Sequence, residues 1–317
     1  MNPTRIAILI ISYNTREMTL ACLRSVFEQA QKQDFELIVL DNASSDGSAE
    51  AIEAEFGDRL RLIKSPDNLG FAGGNNEAAG HATGEYLLLL NPDTVVLDHA
   101  IDRLLEFAEA NPGAGIWGGR TVFADGSLNP ASCWKRATAW SMLCQASGLA
   151  RIFRNSSVFN PEAYGGWGRD SVRLVDIVSG CFFLIRRELW EKLGGFDLTY
   201  FMYGEEADLC LRAREHGART MVTPDATIVH YGGASEKVRA DKLVRLLAAK
   251  ATLIRRHWPR WKAPFGLALL ASWPLSRVVA LSALKVAGRD RDARKAWVEV
   301  WQRRADWSRG YPARQTS

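Results

Sequence analysis

Three acidic residues crowd into four positions in "FMYGEEADLCLRAREHG" (201–217), at the front of a stretch with helical character. Carboxylates such as Glu205, Glu206 and Asp208 in a first turn offset the positive end of a helix dipole, by roughly 0.3–1 kcal/mol each. A carboxylate held at a helix start can also take a proton from a hydroxyl within hydrogen-bond reach. The cluster alone does not choose between these uses. In "LLLLNPDT", Asn91 and Asp93 follow an apolar run at i, i+2 spacing, which puts two oxygen donors on one side of the chain. That suits a hard cation such as Mg²⁺ or Mn²⁺, which would neutralise charge building on a diphosphate leaving group. His230 closes the β-like run in "ATIVHYGGAS" and offers an imidazole to the same ion, although a lone histidine is usually structural.

Two further clusters are polar. Asp41 ends an apolar run and leads into "DNASSDGS", where a carboxylate can accept from ribose hydroxyls or from the imide N–H of uracil or thymine. An Asx turn leading into a helix cap explains the same residues, and for Asp46 capping is sufficient. Asp98 also reads as a cap. "NLGFAGGNN" (68–76) is glycine-rich and opens a helix, so its backbone amides suit phosphate oxygens. It matches neither GxGxxG nor GxxxxGK[ST], and a tight strand–helix turn would look alike.

The elements that must hold these residues alternate. "IAILIIS" (6–12) is a continuous β-rich run, and 15–30 has helical apolar spacing at Leu20, Leu23, Val26 and Phe27. Strands are expected again at 35–44, in "LRLIKSP" and in "EYLLLLNPDT", with helices at 45–57 and in "GGNNEAAGHATG". Such alternation predicts an α/β fold, Rossmann-like, with a mostly parallel sheet and helices on both faces. Ligands gather beyond the carboxyl ends of its strands. "SYN" (12–14), "DNASSDGS" and "NPD" each follow a strand directly, and three polar clusters on one edge read as a site. The middle, 112–200, is irregular and rich in Gly and Trp, and residues 181–185 with 187–193 would frame a wall for a second substrate.

Composition narrows the setting. Five widely spaced cysteines without a CxxC pair suggest neither a zinc site nor a disulfide framework, and a reduced cytosolic environment fits. "RIAILIISYN" shows no cleavable-signal pattern and is too short to span a bilayer. The net charge of +4 hides a split: residues 236–317 hold 19 Lys/Arg against 6 Asp/Glu, a net +13, while residues 1–235 carry −9. The organisation expected is therefore a catalytic domain over 1–235 and a basic helical extension over 236–317. In the extension, 263–276 is free of charge for 14 residues, short of the ~20 that cross a membrane. Arg255, Arg256, Arg260, Lys262 and Arg277 stand around it with Trp258, Trp261 and Trp273. That mixture suits a helix in the interface of an anionic membrane, and a helical hairpin packed on the catalytic body is the alternative. No nucleic-acid motif accompanies the charge.

In this order the motifs "ILIISYN", "LDNASSDGS", "NLGFAGGNN", "LLLNPDT", "SGCFFLIRRE", "GGFDLTYFMYGEEADLCLRAREHG" and "IVHYGGAS" resemble the inverting glycosyltransferases of family 2, of GT-A fold. The likeness covers roughly residues 5–235 and is greatest to the rhamnosyltransferase-like branch that builds bacterial cell-wall and surface polysaccharides. It implies a donor site of Ser12, Asn14, Asp41, Asn42, Asn68, Gly70, Gly74, Asn75 and Asn91, with Asp41 on the base or ribose. Asp93 and His230 would hold Mn²⁺ or Mg²⁺, Glu206 would be the general base, and Glu205 and Asp208 would support the site and acceptor. Two positions depart from the family pattern: Asn91 stands where Asp is commoner in the metal motif, and Glu206 where Asp is the usual base. "QRRADW" (302–307) lacks the QxxRW signature of processive synthases, so transfer of one sugar is expected.

The resemblance implies a dTDP-rhamnose or UDP-sugar donor and a polyprenyl-diphosphate-linked saccharide acceptor. The enzyme would lie peripherally on the cytoplasmic face of the cell membrane. Asn91 and Glu206 also admit a catalytically weak homologue acting as a membrane-bound binding or scaffold subunit. A sugar-nucleotide-forming nucleotidyltransferase would need a basic, glycine-rich phosphate loop after the first strand, and "SYNTREM" offers none.

Overall fold

The computed structural model describes residues 4–32, 34–232, 239–283 and 291–312. The chain divides into two compact units. One comprises 1–134, 168–201 and 205–235; the other comprises 135–167, 202–204 and 236–317. The expected boundary between 235 and 236, and the last three residues of "IVHYGGAS", lie outside the described residues.

The first unit opens as the alternation predicts. β1 (Ile6–Ser12), α1 (Arg16–Gln29), β2 (Phe35–Asp41), α2 (Ser48–Phe56), β3 (Arg61–Lys64), α3 (Gly70–Gly80) and β4 (Tyr86–Leu90) follow one another. β1 pairs in parallel with β2 and β4, and β2 with β3. β1 and β4 are buried along their whole length, because helices cover both faces of this part of the sheet. Gly47, not Asp46, stands at the N-cap of α2. The Asp46 carboxylate just before it accepts from the Ser48 hydroxyl at 2.5 Å, the Ser48 amide at 3.1 Å and the Arg16 amide at 3.0 Å. Burial pushes that carboxyl up, but the three donors outweigh it and hold it below its ordinary range.

Beyond β4 come β5 (Thr94–Val96), α4 (Ala100–Ala110), β6 (Ile116–Val122), β7 (Leu128–Asn129) and β8 (Cys133–Trp134). In the second unit follow α5 (Ala139–Ser147) and α6 (Leu149–Ile152). The chain returns to the first unit with β9 (Arg173–Val175), β10 (Ile177–Val178), β11 (Phe182–Arg186), α7 (Arg187–Leu193), α8 (Glu205–Glu215) and β12 (Thr220–His230). The sheet order is β3-β2-β1-β4-β11-β6-β12-β5, with β7 on β6 and β9 on β12.

β11 is the piece that apolar periodicity misses. The run at 181–185 does not form a wall for a second substrate. Residues 182–186 run antiparallel between β4 and β6, with Phe183 opposite both Leu89 and Gly118, in the middle of the sheet. Because β11 opposes β4 and β6 opposes β11, β6 runs with β4, and β12 is parallel to β6. The strand ends Ser12, Asp41, Leu90 and His230 therefore all lie at one edge.

The second unit closes with α9 (Arg239–His257), α10 (Ala263–Ala283), α11 (Arg291–Gln302) and α12 (Arg304–Ser308). Its core joins Leu247, Ala251 and Ile254 of α9 to Leu270, Trp297, Val300 and Trp307, with Met142 of α5 in the same cluster. Trp273 packs inward on Trp297, ring centroids 5.6 Å apart, and the Trp307 indole N–H donates to the Val300 carbonyl at 2.8 Å. Trp261, by contrast, is 77% exposed. α10 runs past Arg277, which donates to the Gln145 carbonyl at 2.8 Å. The resulting stretch Ala263–Ser282 is long and apolar enough to cross a membrane by length and composition, beyond the charge-free run at 263–276.

Candidate active site

The polar residues singled out by type and spacing sit where the strands stop. Ser12 and Asp41 are opposite one another in the β1–β2 register, and the Asn42 amide donates to the Ser12 carbonyl at 2.8 Å. The loops after β1 and β2 are tied together at Asn14, whose amide donates to the Ser44 hydroxyl at 3.0 Å and whose side-chain oxygen accepts from the Ser45 amide at 2.8 Å. The Ser12 hydroxyl is buried against Thr19 at 3.0 Å. Asp41 uses one carboxylate oxygen on the Ser44 amide at 3.1 Å. Its other oxygen, Oδ1, is buried with no hydrogen-bond partner among the described residues.

Asn42 spends its amide internally. Its Nδ2 donates to Asn68 Oδ1 at 3.1 Å and to the Gly70 carbonyl at 3.2 Å, while its oxygen accepts from the Leu69 amide at 2.8 Å. Asn68 Oδ1 also accepts from the Gly70 amide at 2.9 Å. Asn42 and Asn68 thus clamp the glycine-rich turn to the end of β2, and Asn75 ties α3 to itself through the Phe71 carbonyl at 2.9 Å. Gly70 is required twice over. Its φ is +72°, and a Cβ would come within 2.4 Å of the Phe201 carbonyl oxygen. Gly70→Ala is expected to destabilise the fold by about 2 kcal/mol or more and to weaken donor binding, read by chemical denaturation and calorimetry. An unchanged denaturation midpoint would show that the turn yields to the methyl. At Gly74 a Cβ would meet the Ile11 side chain at 2.9 Å, which brings α3 close over β1.

Asn91, Asp93 and His230 converge. Asp93 Oδ1 lies 3.4 Å from His230 Nε2, and Asp93 Oδ2 accepts from the Gly232 amide at 3.1 Å. The Asn91 amide nitrogen Nδ2 is 3.4 Å from the same imidazole nitrogen. Backbone pairing makes this contact obligatory: Thr94 is opposite His230 in the β5–β12 ladder, and the Tyr231 amide donates to the Asp93 carbonyl at 3.0 Å. Burial alone would lower the His230 pKa, but Cys181 and the Asp93 carboxylate beside it more than reverse this and raise it to about 10. Asn91 Oδ1 and His230 Nδ1 are both buried without a hydrogen-bond partner among the described residues. An amide oxygen, a carboxylate and an imidazole are the donors a divalent cation takes, so the residues fit one. Among the described residues no group of three His, Cys, Asp or Glu side chains converges.

The acidic helix start belongs to the same edge. The Asn91 amide donates to the Cys181 carbonyl at 3.1 Å, in the turn that opens β11. The neighbouring Gly180 faces both the Phe71 ring and Glu206, whose Cβ lies 3.9 Å from where a Gly180 Cβ would stand. The Phe71 amide in turn donates to the Phe201 carbonyl at 3.1 Å. Contacts therefore run unbroken from Asp41 through Asn42, Gly70 and Phe71 to Gly180 and Glu206, and on through Cys181 and Asn91 to His230 and Asp93.

The three acids differ in setting. Glu205 is 3% exposed and Glu206 is half-buried at the first turn of α8. Asp208 is 1% exposed and its carboxylate accepts from Arg212 Nε at 2.6 Å. Arg212 also donates to the carbonyls of Leu193 and Gly195, at 2.7 and 2.8 Å. Asp208 thereby anchors α8 to the turn after α7, an i, i+4 pairing that the spacing of the two residues already allowed. Gly180, Phe71 and Phe201 were not visible as site residues in the sequence, since nothing about a glycine or phenylalanine reports which loop it will touch.

Comparison with known proteins identifies the family and the fold. A family model described as Glycosyl transferase family 2 matches residues 7–194. An N-acetylglucosaminyl-diphospho-decaprenol L-rhamnosyltransferase of Mycobacterium tuberculosis (strain H37Rv) is 28% identical over 283 residues, 82% of this chain and 88% of its own. Rhamnosyltransferase WbbL of Escherichia coli (strain K12) is 26% identical over 275 residues, 81% of this chain and 98% of its own. In fold, the chain is similar to mannosyltransferase PcManGT from Pyrobaculum calidifontis, solved with GDP-Man and Mn²⁺. The TM-score is 0.60 at 19% identity, over 96% of this chain and 88% of that one. With its strand order, its shared carboxyl edge and a family match over more than half its length, the chain belongs to glycosyl transferase family 2 and is a nucleotide-sugar glycosyltransferase of GT-A fold.

Proposed function

We propose that the enzyme transfers one sugar, rhamnose from dTDP-rhamnose or a sugar from a UDP-sugar, with inversion, onto a polyprenyl-diphosphate-linked saccharide. The product would enter cell-wall or surface polysaccharide. The observation that carries the site is the set of buried polar atoms with no hydrogen-bond partner among the described residues, Asp41 Oδ1, Asn91 Oδ1 and His230 Nδ1, along one sheet edge. Buried polar groups are nearly always satisfied, so three together mark where a ligand supplies the missing partners. The substrate class rests on the two rhamnosyltransferase relatives, one of them named for a GlcNAc-diphospho-decaprenol acceptor.

The roles follow from position. Asp41, at the end of β2, accepts from the nucleoside, and the backbone of the turn that Asn42 and Asn68 clamp approaches the phosphates. Asn91, Asp93 and His230 would hold Mn²⁺ or Mg²⁺, which when bound neutralises charge on the departing diphosphate. Glu206 takes the acceptor hydroxyl's proton while that oxygen bonds to the anomeric carbon and the sugar–diphosphate bond breaks on the opposite face. Inversion then follows without a covalent intermediate. Glu205, buried beside it, supports the first turn of α8, and Asp208 fixes the helix. The acceptor would reach the site from the cytoplasmic face of an anionic membrane. In support, Phe265, Ala268, Ser272, Leu275 and Val279 recur at spacings of three and four and form one uncharged side of α10, with the exposed Trp261 just before the helix.

Incubation of the full chain with dTDP-rhamnose or UDP-sugars, Mn²⁺ and a GlcNAc-diphospho-polyprenol acceptor tests the reading. Acceptor-dependent release of the nucleoside diphosphate from one donor is expected. Nucleotide binding with no turnover of any donor would favour a binding subunit instead.

A further inference from the structure

The extension at 236–317 is where the sequence concentrates charge and tryptophan, yet a second apolar surface lies in the middle of the chain. Trp140, Leu143, Ile152, Phe153 and Val158 are all exposed, Ile152 to 71%. They are not scattered. The Phe153 and Phe159 ring centroids are 5.0 Å apart, and Trp140 lies 6.2 Å from Phe159. The Trp140 indole N–H, its one polar group, donates to the Val158 carbonyl at 2.7 Å, so the ring presents an apolar face with its hydrogen bond already made.

α5 is apolar on both sides. Met142, Cys144 and Ala146 are buried, while Trp140 and Leu143, three apart, face outward. The exposed charge on this stretch is cationic: from 135 to 161 the chain has Lys135, Arg136, Arg151 and Arg154 and no Asp or Glu, and the acid that follows, Glu162, is largely buried and paired with Lys250. α10 lies directly against this element, since Ser276 donates to the Ala146 carbonyl at 2.6 Å and Arg277 to the Gln145 carbonyl at 2.8 Å. α10 carries its own exposed side, with Phe265 and Val279 each more than half exposed.

We propose that residues 139–159 form, together with the outer side of α10, the surface by which the protein enters an anionic lipid bilayer, with Trp140, Ile152 and Phe153 in the acyl boundary and Arg151 and Arg154 at the headgroups. Apolar side chains flanked by exposed cations, with the one neighbouring acid, Glu162, already paired with Lys250, suit that partner, for which both the burial and the charge terms are favourable. The proposal deepens the reading above of an acceptor carried on a polyprenyl diphosphate. It extends the membrane contact beyond the basic extension, to residues 139–159.

All five native cysteines are buried, so a cysteine placed at Ile152 takes an environment-sensitive fluorophore selectively. The full chain carrying I152C is mixed with phosphatidylcholine vesicles containing a third phosphatidylglycerol. The control is A54C, at an exposed position of α2 in the first unit. A blue shift at 152 and none at 54 is expected, with a smaller shift on pure phosphatidylcholine. In the unlabelled chain, W140S with F153S should weaken vesicle affinity at least about tenfold while donor binding is unchanged. Vesicle binding without a shift at 152, or a shift that follows protein concentration in the absence of lipid, overturns the proposal; the latter would mean a second copy covers the patch. Turnover of a water-soluble acceptor analogue is measured alongside. Turnover without the shift defeats only this surface, whereas the shift without turnover of any donor defeats the catalytic reading and leaves the surface standing.

Discussion

Replacing Glu206 by Gln is expected to lower kcat by about a hundred- to ten-thousandfold while nucleotide-sugar affinity stays within about twofold of the parent. The expectation rests on where Glu206 sits. It opens α8, half-buried, against the turn at Gly180 whose next residue, Cys181, accepts from Asn91. On the proposed reading, a carboxylate there meets the acceptor hydroxyl and makes no contact with a nucleoside held at Asp41. Gln keeps the shape and the helix start but cannot take the proton, so the loss falls on turnover and spares donor binding. Glu205→Gln is the companion: at 3% exposure its effect is expected on stability as much as on rate. Steady-state release of nucleoside diphosphate, with donor binding measured by calorimetry, separates the two. Near-parental turnover in Glu206→Gln would reassign the base.

Much of this edge was legible in the chain because strand ends and polar residues coincide in it. Ser12, Asp41 and Asn91 each follow an apolar run directly, and a run of that kind can only be a buried strand or helix. His230 needed more. Its place at the same edge depends on β11 lying antiparallel between β4 and β6, and an apolar run such as "CFFLI" carries no sign of its direction. The grouping of residues 135–167 with the C-terminal helices was hidden for a related reason. Met142, Leu270 and Trp307 share a core across more than 160 positions, which no local pattern reports. Arg277 misled in the opposite sense. Its charge ended the apolar run on paper, but in the fold its guanidinium is taken up by the Gln145 carbonyl and α10 continues. The pairing of Asp208 with Arg212 was legible in their i, i+4 spacing.

Asp93→Asn is expected to abolish the dependence of donor binding on Mn²⁺. In the parent, donor affinity with Mn²⁺ should exceed that in chelator by about ten- to a hundredfold, and in the variant the two should coincide. Asn keeps an oxygen for the Gly232 amide, now 3.1 Å from Asp93 Oδ2, so the β5–β12 corner should persist. What disappears is the negative charge 3.4 Å from the His230 imidazole. Asn91 is neutral, so Asp93 is the one anionic donor in the Asn91–Asp93–His230 set. A cation held there by an amide oxygen and an imidazole alone would be bound weakly, because hard divalent ions take most of their affinity from carboxylates. The converse substitution, Asn91→Asp, adds a second anion beside buried His230 and should strengthen Mn²⁺-dependent donor binding. The pair therefore moves the same quantity in opposite directions, as loss of folding in either variant would not. If Asp93→Asn binds donor with undiminished Mn²⁺ dependence, the cation lies elsewhere, and Asp93 and His230 are a structural pair that closes the end of the sheet.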